Sequence, residues 1–145
     1  MPRPWENGAE QQLFKNALDQ VELVDRLGVD FAWMLEHQFL KEYSHCPAPE
    51  VFLGAASQRT KDIRLGHGII QLTTNHPARV AERVATLDLI SDGRVEFGMG
   101  EGGSLTEFGP FDRTIEAKRE VWENAVRAVM PMFADSGFEY DGPHF

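Results

Sequence analysis

The sequence predicts an α/β chain built on parallel strands, and three observations carry that expectation. Hydrophobic spacing alternates between the period of a helix and short, nearly continuous apolar runs suited to buried strands. Glycine, proline, asparagine or aspartate punctuates each change. The resulting order, helix and strand in turn, implies crossover connections that join parallel neighbours with a right-handed sense.

Taken in order, Phe14, Ala17, Leu18, Val21 and Val24 recur at helical spacing over about residues 9–27, and Gly28 stands where a left-handed helix stop belongs. "VDFAWML" (29–35) reads as the first buried strand. Loop-forming "SHCPAP" then leads into a short helix over about 49–59. "IRLGHGIIQL" (63–72) is a second strand interrupted by glycines. Asn75, His76 and Pro77 mark a helix start with proline in its favoured first position, and Val80, Ala81, Val84 and Leu87 supply its apolar face. "SDG" ends that helix at Gly93, and "RVEFGMG" (94–100) is the third strand. A long helix over about 114–133 gathers Ile115, Trp122, Val126, Val129 and Phe133 on one side. "FEYDGPHF" suggests a turn at Asp141 and Gly142 between short extended pieces. There is no internal repeat, low-complexity tract or domain boundary, so residues 1–145 are taken as one domain. Three parallel strands make a small sheet with two open edges, and the chain reads as part of a larger fold.

Composition limits the functions available. With 145 residues, 42% hydrophobic and 26% charged, the chain has the make-up of one globular unit. No run approaches the ~20 apolar residues of a membrane span, and "MPRPWENGAEQQ" lacks the regions of a signal peptide, so a cytoplasmic protein is expected. A formal charge of -9 with scattered Lys and Arg argues against nucleic acid as a partner. The single cysteine, Cys46, lies in a loop-like segment and is expected to be an incidental thiol.

Two strand ends carry chemistry-bearing residues. "FAWMLEHQF" closes its apolar run with Glu36, His37 and Gln38, and in parallel α/β folds the carboxyl ends of strands are where ligands bind. "GMGEGG" (98–103) has the spacing G-x-G-x-x-G after a strand. A dinucleotide fingerprint also needs a helix beginning within the glycines and an acidic residue at the end of a following strand. Here "SLTEFGPFD" intervenes and no such strand follows, so that site is not inferred.

Together "WMLEHQF", "IRLGHGIIQL" and "NHPARVAERVATLDLISDGRVEFGMGEG" resemble the bacterial luciferase-like, flavin-dependent monooxygenases, which are (β/α)8 barrels. The resemblance runs through nearly the whole chain. It implies a partial (β/α)8 TIM barrel, three parallel strands alternating with four helices, without the first strand and the second half of the barrel. His37 matches the histidine placed beside the flavin and implicated in the oxygen chemistry, and an imidazole, which titrates near neutrality, suits that task. Glu36 is expected either to orient the imidazole or to be solvated, and Gln38 replaces a frequent second histidine. Gly68 and Ile69 match a strand bulge against the flavin ring, and Gly100 lines the flavin site. Glu101 stands where many relatives have an arginine that holds the FMN phosphate, so it is expected to repel that phosphate unless another cation compensates. His67 is expected to be a packed or barrel-lining residue.

The resemblance implies reduced FMN as cofactor, supplied by a separate flavin reductase, with oxygen and a small organic substrate as further partners. It also implies a homo-oligomer. The alternative is a non-catalytic remnant or oligomerisation module of the same family. A metal-dependent hydrolase using His37 and His67 is a third class, and it lacks a paired-histidine motif.

Overall fold

The computed structural model describes residues 7–40, 44–134 and 137–145. In chain order these form helix α1 (Ala9–Arg26), strand β1 (Phe31–Met34), helix α2 (Pro49–Ser57), strand β2 (Arg64–Gln71), helix α3 (Pro77–Ile90) and strand β3 (Val95–Gly100). The one-turn helix α4 (Leu105–Phe108), a 3-10 turn at Gly109–Phe111 and helix α5 (Lys118–Met132) complete them. The strands make one parallel sheet in the order β1-β2-β3, as the sequence predicts.

Local chemistry explains the boundaries. At the end of α1, Gly28 adopts a φ of 79°. Its N–H donates to Asp25 O at 3.1 Å and the Val29 N–H donates to Val24 O at 3.0 Å, so the last carbonyls are satisfied and the chain turns into β1. At the start of α3, His76 caps through its ring Nδ1, which accepts from the Ala78 N–H, and Pro77 sits in the first turn. The long helix begins at Lys118 rather than near residue 114, because Thr114 Oγ1 accepts from the Ala117 N–H at 3.2 Å and holds a turn there. Helix α4 lies in the segment where the sequence shows no periodicity. At the carboxyl end, the Gly142 N–H donates to Phe145 O at 2.9 Å, closing a turn without flanking strands among the described residues.

The helices cover one face of the sheet. Phe52, Leu53, Ala56, Ile63, Leu65 and Leu87 form one buried cluster, against which the predicted face of α1 packs through Phe14, Leu18 and Val21. Ile70, Leu72, Val80, Val84, Ala125 and Val129 form a second cluster between the sheet, α3 and α5. His67 is wholly buried, edge-on to Phe97 with ring centroids 6.3 Å apart, which makes it a packed residue. Phe31, Trp33 and Leu35, one alternation out of step with the packed Ala32 and Met34, are exposed. The Trp33 ring lies over Gly66, where any Cβ would collide with it.

The amino-terminal end of the sheet is fastened by side chains that bind backbone. The Arg94 guanidinium donates to the carbonyls of Ser57 (2.9 Å), Ile63 (3.1 Å) and Ser91 (2.7 Å) and to Thr60 Oγ1 (2.9 Å). The Asp25 carboxylate accepts the N–H groups of Lys61, Asp62 and Ile63 at 2.7 to 3.0 Å. Among the described residues no helix is long and apolar enough to cross a membrane.

Candidate functional site

At the carboxyl end of the strands the structure builds a buried polar network around His37. The chain leaves β1 and is held by two backbone bonds: Glu36 N–H to Ile69 O at 3.3 Å and His37 N–H to Cys46 O at 3.0 Å. Cys46 therefore contributes a carbonyl to the site while its thiol packs in the core, where burial pushes it up to about 11. His37 Nδ1 lies 3.1 Å from Glu107 Oε1. The same oxygen accepts the Gln38 backbone N–H at 3.0 Å and the Gln71 side-chain amide at 2.8 Å. Gln71 also donates to Glu36 O at 3.1 Å.

Glu36 is neither solvated nor the carboxylate at His37 Nδ1. It is 5% exposed and accepts from the side chains of Gln38 and Asn75 and from the Gln71 backbone N–H. Burial pushes its carboxyl above the ordinary value of 4.5, against the pull of those donors. The folded chain thus keeps a proton that the unfolded chain releases near that value. The resulting stability is complete below pH 4.5 and declines as pH rises through the raised folded value. Denaturant midpoints measured at rising pH should show that decline in wild type and less of it in Glu36→Gln. An equal slope in both proteins would rule Glu36 out as its source.

Beside this network, β2 carries an irregularity. His67 pairs with Phe97 and Ile70 with Met99, so three steps along β2 are matched by two along β3. The extra residue falls at Gly68–Ile69, where the family resemblance implies a bulge. The Ile69 side chain covers the neighbouring strand: a Cβ on Gly100 would come within 2.7 Å of Ile69 Cδ1, and one on Gly98 would strike the His67 carbonyl. The glycines thus let β2 and β3 and the Ile69 side chain pack closely at this end of the sheet. Gly102, at φ 71°, lets the Gln71 amide and the Phe108 ring close over the end of β3.

Glu101 follows β3 at the same end of the sheet, but its charge is not left uncompensated. Arg119 Nη1 lies 2.8 Å and Lys118 Nζ 3.4 Å from its carboxylate, both from the first turn of α5. Hydrogen bonding to Arg119, then to Lys118, holds the carboxyl below its ordinary range despite some desolvation.

His37, Ile69, Gly100 and Glu101 are therefore gathered at the carboxyl-terminal end, with Gly68 beneath them in β2. Glu107, Gln71 and Asn75 join the site without having been expected there from the sequence, in which Asn75 was read only as part of a helix start. The one local sign of Glu107 is a carboxylate set between the apolar residues of "LTEFGPF". Phe39, held at φ 60°, and Phe111 place an aromatic pair next to the network, with ring centroids 6.2 Å apart. Among the described residues no group of three or more His, Cys, Asp or Glu side chains could hold a metal ion.

The family model described as luciferase-like monooxygenase matches residues 2–145. Limonene 1,2-monooxygenase of Rhodococcus erythropolis is 40% identical over 101 residues, which are 68% of this chain and 26% of that protein. The oxygenase component of the flavin-dependent trigonelline monooxygenase of Acinetobacter baylyi is 28% identical over 108 residues, 74% of this chain and 30% of that protein. The crystal structure of the monooxygenase RslO1 from Streptomyces bottropensis superimposes with a TM-score of 0.86 at 32% identity, covering 89% of this chain and 39% of that one. The chain spans less than half the length of each of these relatives.

Proposed function

This chain belongs to the luciferase-like monooxygenase family, and from that premise we propose that it contributes the His37 side of an FMN-linked site that oxidises a small organic substrate with oxygen. The observation that carries the proposal is the placement of His37, backed by the buried Glu107, at the strand end beside the Gly68–Ile69 bulge. The naming of the Acinetobacter baylyi relative as a flavin-dependent oxygenase component supports a flavin, with a separate reductase to supply it reduced. When bound, the reduced flavin supplies the electrons that activate oxygen.

The other roles fall to residues of the chain. The flavin ring is assigned to the bulge at Gly68 and Ile69 and to the neighbouring Gly100, which the Ile69 side chain packs against. Lys118 and Arg119 are the cations nearest the strand end that could meet a phosphate, and Glu101 competes for them. His37 exchanges a proton with the substrate as it is oxidised. The Phe39 and Phe111 rings favour an apolar substrate over a charged one.

Titration of FMN and of riboflavin, followed by fluorescence quenching, tests the phosphate and ring contacts separately. Wild type should bind FMN weakly. Glu101→Arg should tighten FMN several-fold, an effect limited because the cluster is partly exposed and screened, and should leave riboflavin unchanged. Absence of quenching by either flavin in both proteins, or equal gains for FMN and riboflavin, would count against the assignment.

The exposed Phe31, Trp33 and Leu35 on the uncovered sheet face favour a second reading, an oligomerisation module without chemistry of its own. A protein that associates in light scattering and ignores added reduced FMN would support that module over the oxygenase.

A further inference from the structure

We propose that Glu107 is the positioning residue for His37: it keeps the imidazole hydrogen on Nδ1 and so makes Nε2 the acceptor nitrogen of the neutral ring. The proposal builds on the role given to His37 above. Its warrant is the identity of the groups that share one oxygen. Glu107 is 2% exposed, and its Oε1 lies 3.0 Å from the Gln38 backbone N, 2.8 Å from Gln71 Nε2 and 3.1 Å from His37 Nδ1. A backbone N–H and a side-chain amide nitrogen can only donate, so Oε1 serves as acceptor to both. A ring nitrogen facing that acceptor must donate as well, which places the hydrogen on Nδ1. In a neutral imidazole the other nitrogen, Nε2, is then the acceptor.

The arrangement is built rather than incidental. Glu107 stands in α4 next to Phe108, which is wholly buried, so its carboxylate is anchored through the core. Gln71 ends β2 and is itself 2% exposed, so the amide that fixes the third position around Oε1 is equally constrained. Glu36, the second buried carboxylate, accepts from the Gln38 and Asn75 side chains and the Gln71 N–H, and thereby holds the amide side of the same network.

The test reads the tautomer directly. In the full chain labelled with nitrogen-15, two-bond proton–nitrogen correlations of the His37 ring should show the Nδ1–H form predominating at a pH where the ring is neutral. Glu107→Gln, which keeps an acceptor oxygen and the side-chain shape, should retain that form. Glu107→Leu should shift the population several-fold toward Nε2–H, with circular dichroism confirming the fold. A predominant Nε2–H form in wild type or in Glu107→Gln overturns the proposal, even if Glu107→Leu fails to fold. An unchanged tautomer in a folded Glu107→Leu overturns it equally. Since these spectra need no flavin, lack of flavin binding or oxygenation would strike the proposed function alone, and an Nε2–H result would strike this assignment alone.

Discussion

His37→Ala is expected to lower substrate oxygenation by roughly 10²- to 10⁴-fold, the usual contribution of one positioned acid–base side chain. Flavin affinity should stay within about twofold, because the proposed flavin contacts lie at Gly68, Ile69 and Gly100 and at the cations of α5 rather than at His37. The measurement is product formation with chemically reduced FMN and oxygen, run beside a flavin titration of the same preparation. Full activity in the variant would remove His37 from the chemistry. A parallel loss of flavin binding would make it a binding residue instead. The truncation leaves the Glu107 carboxylate buried with one donor fewer, so a modest fall in stability, on the order of 1–3 kcal/mol, should accompany the loss of activity.

Phe108→Ala is expected to have the largest effect on stability. The ring is wholly buried and closes against Gly102, where an added Cβ would come within 3.1 Å of Phe108 Cε1. Emptying such a site costs about 3–5 kcal/mol, transfer and cavity together. The neighbouring Leu105, 73% exposed, provides the control. Leu105→Ala should stay within about 0.5 kcal/mol of wild type. Equilibrium urea unfolding decides between them, and similar midpoints for the two variants would show that α4 is not anchored as described. Because Glu107 rides on the same turn, Phe108→Ala should also disturb the His37 ring, whereas Leu105→Ala should not.

The parts of the structure that were legible in the sequence are those whose cause is local. The α1 stop lies within residues 24–29 and the α3 start within residues 76–78. The three strands announce themselves by apolar runs, and the bulge was expected only from the match of Gly68 and Ile69 to the family. The polar network was hidden for the opposite reason. Glu107 meets His37 across 70 positions and Gln71 across 36, and Asn75 meets Glu36 across 39, so no window of sequence contains both partners. Helix α4, at four residues, is too short to show a period. The cations that answer Glu101 were visible as "KRE", but only the path of the chain between β3 and α5 turns them toward it.

The sequence separation of His37 and Glu107 also governs when the site comes into being. Three strands, two crossovers and the turn at 104–108 must all be in place before the imidazole meets its carboxylate, and contacts of such long range are slow to close. Nascent chain carrying His37 leaves the ribosome well before Glu107 is made, so the ring is unselected during that interval. The Gln38 backbone N–H, bonded to the same carboxylate oxygen, is withdrawn from exchange with solvent only when that last turn has docked. Protection of that one main-chain amide thereby marks the moment at which the turn carrying Glu107 has joined the sheet.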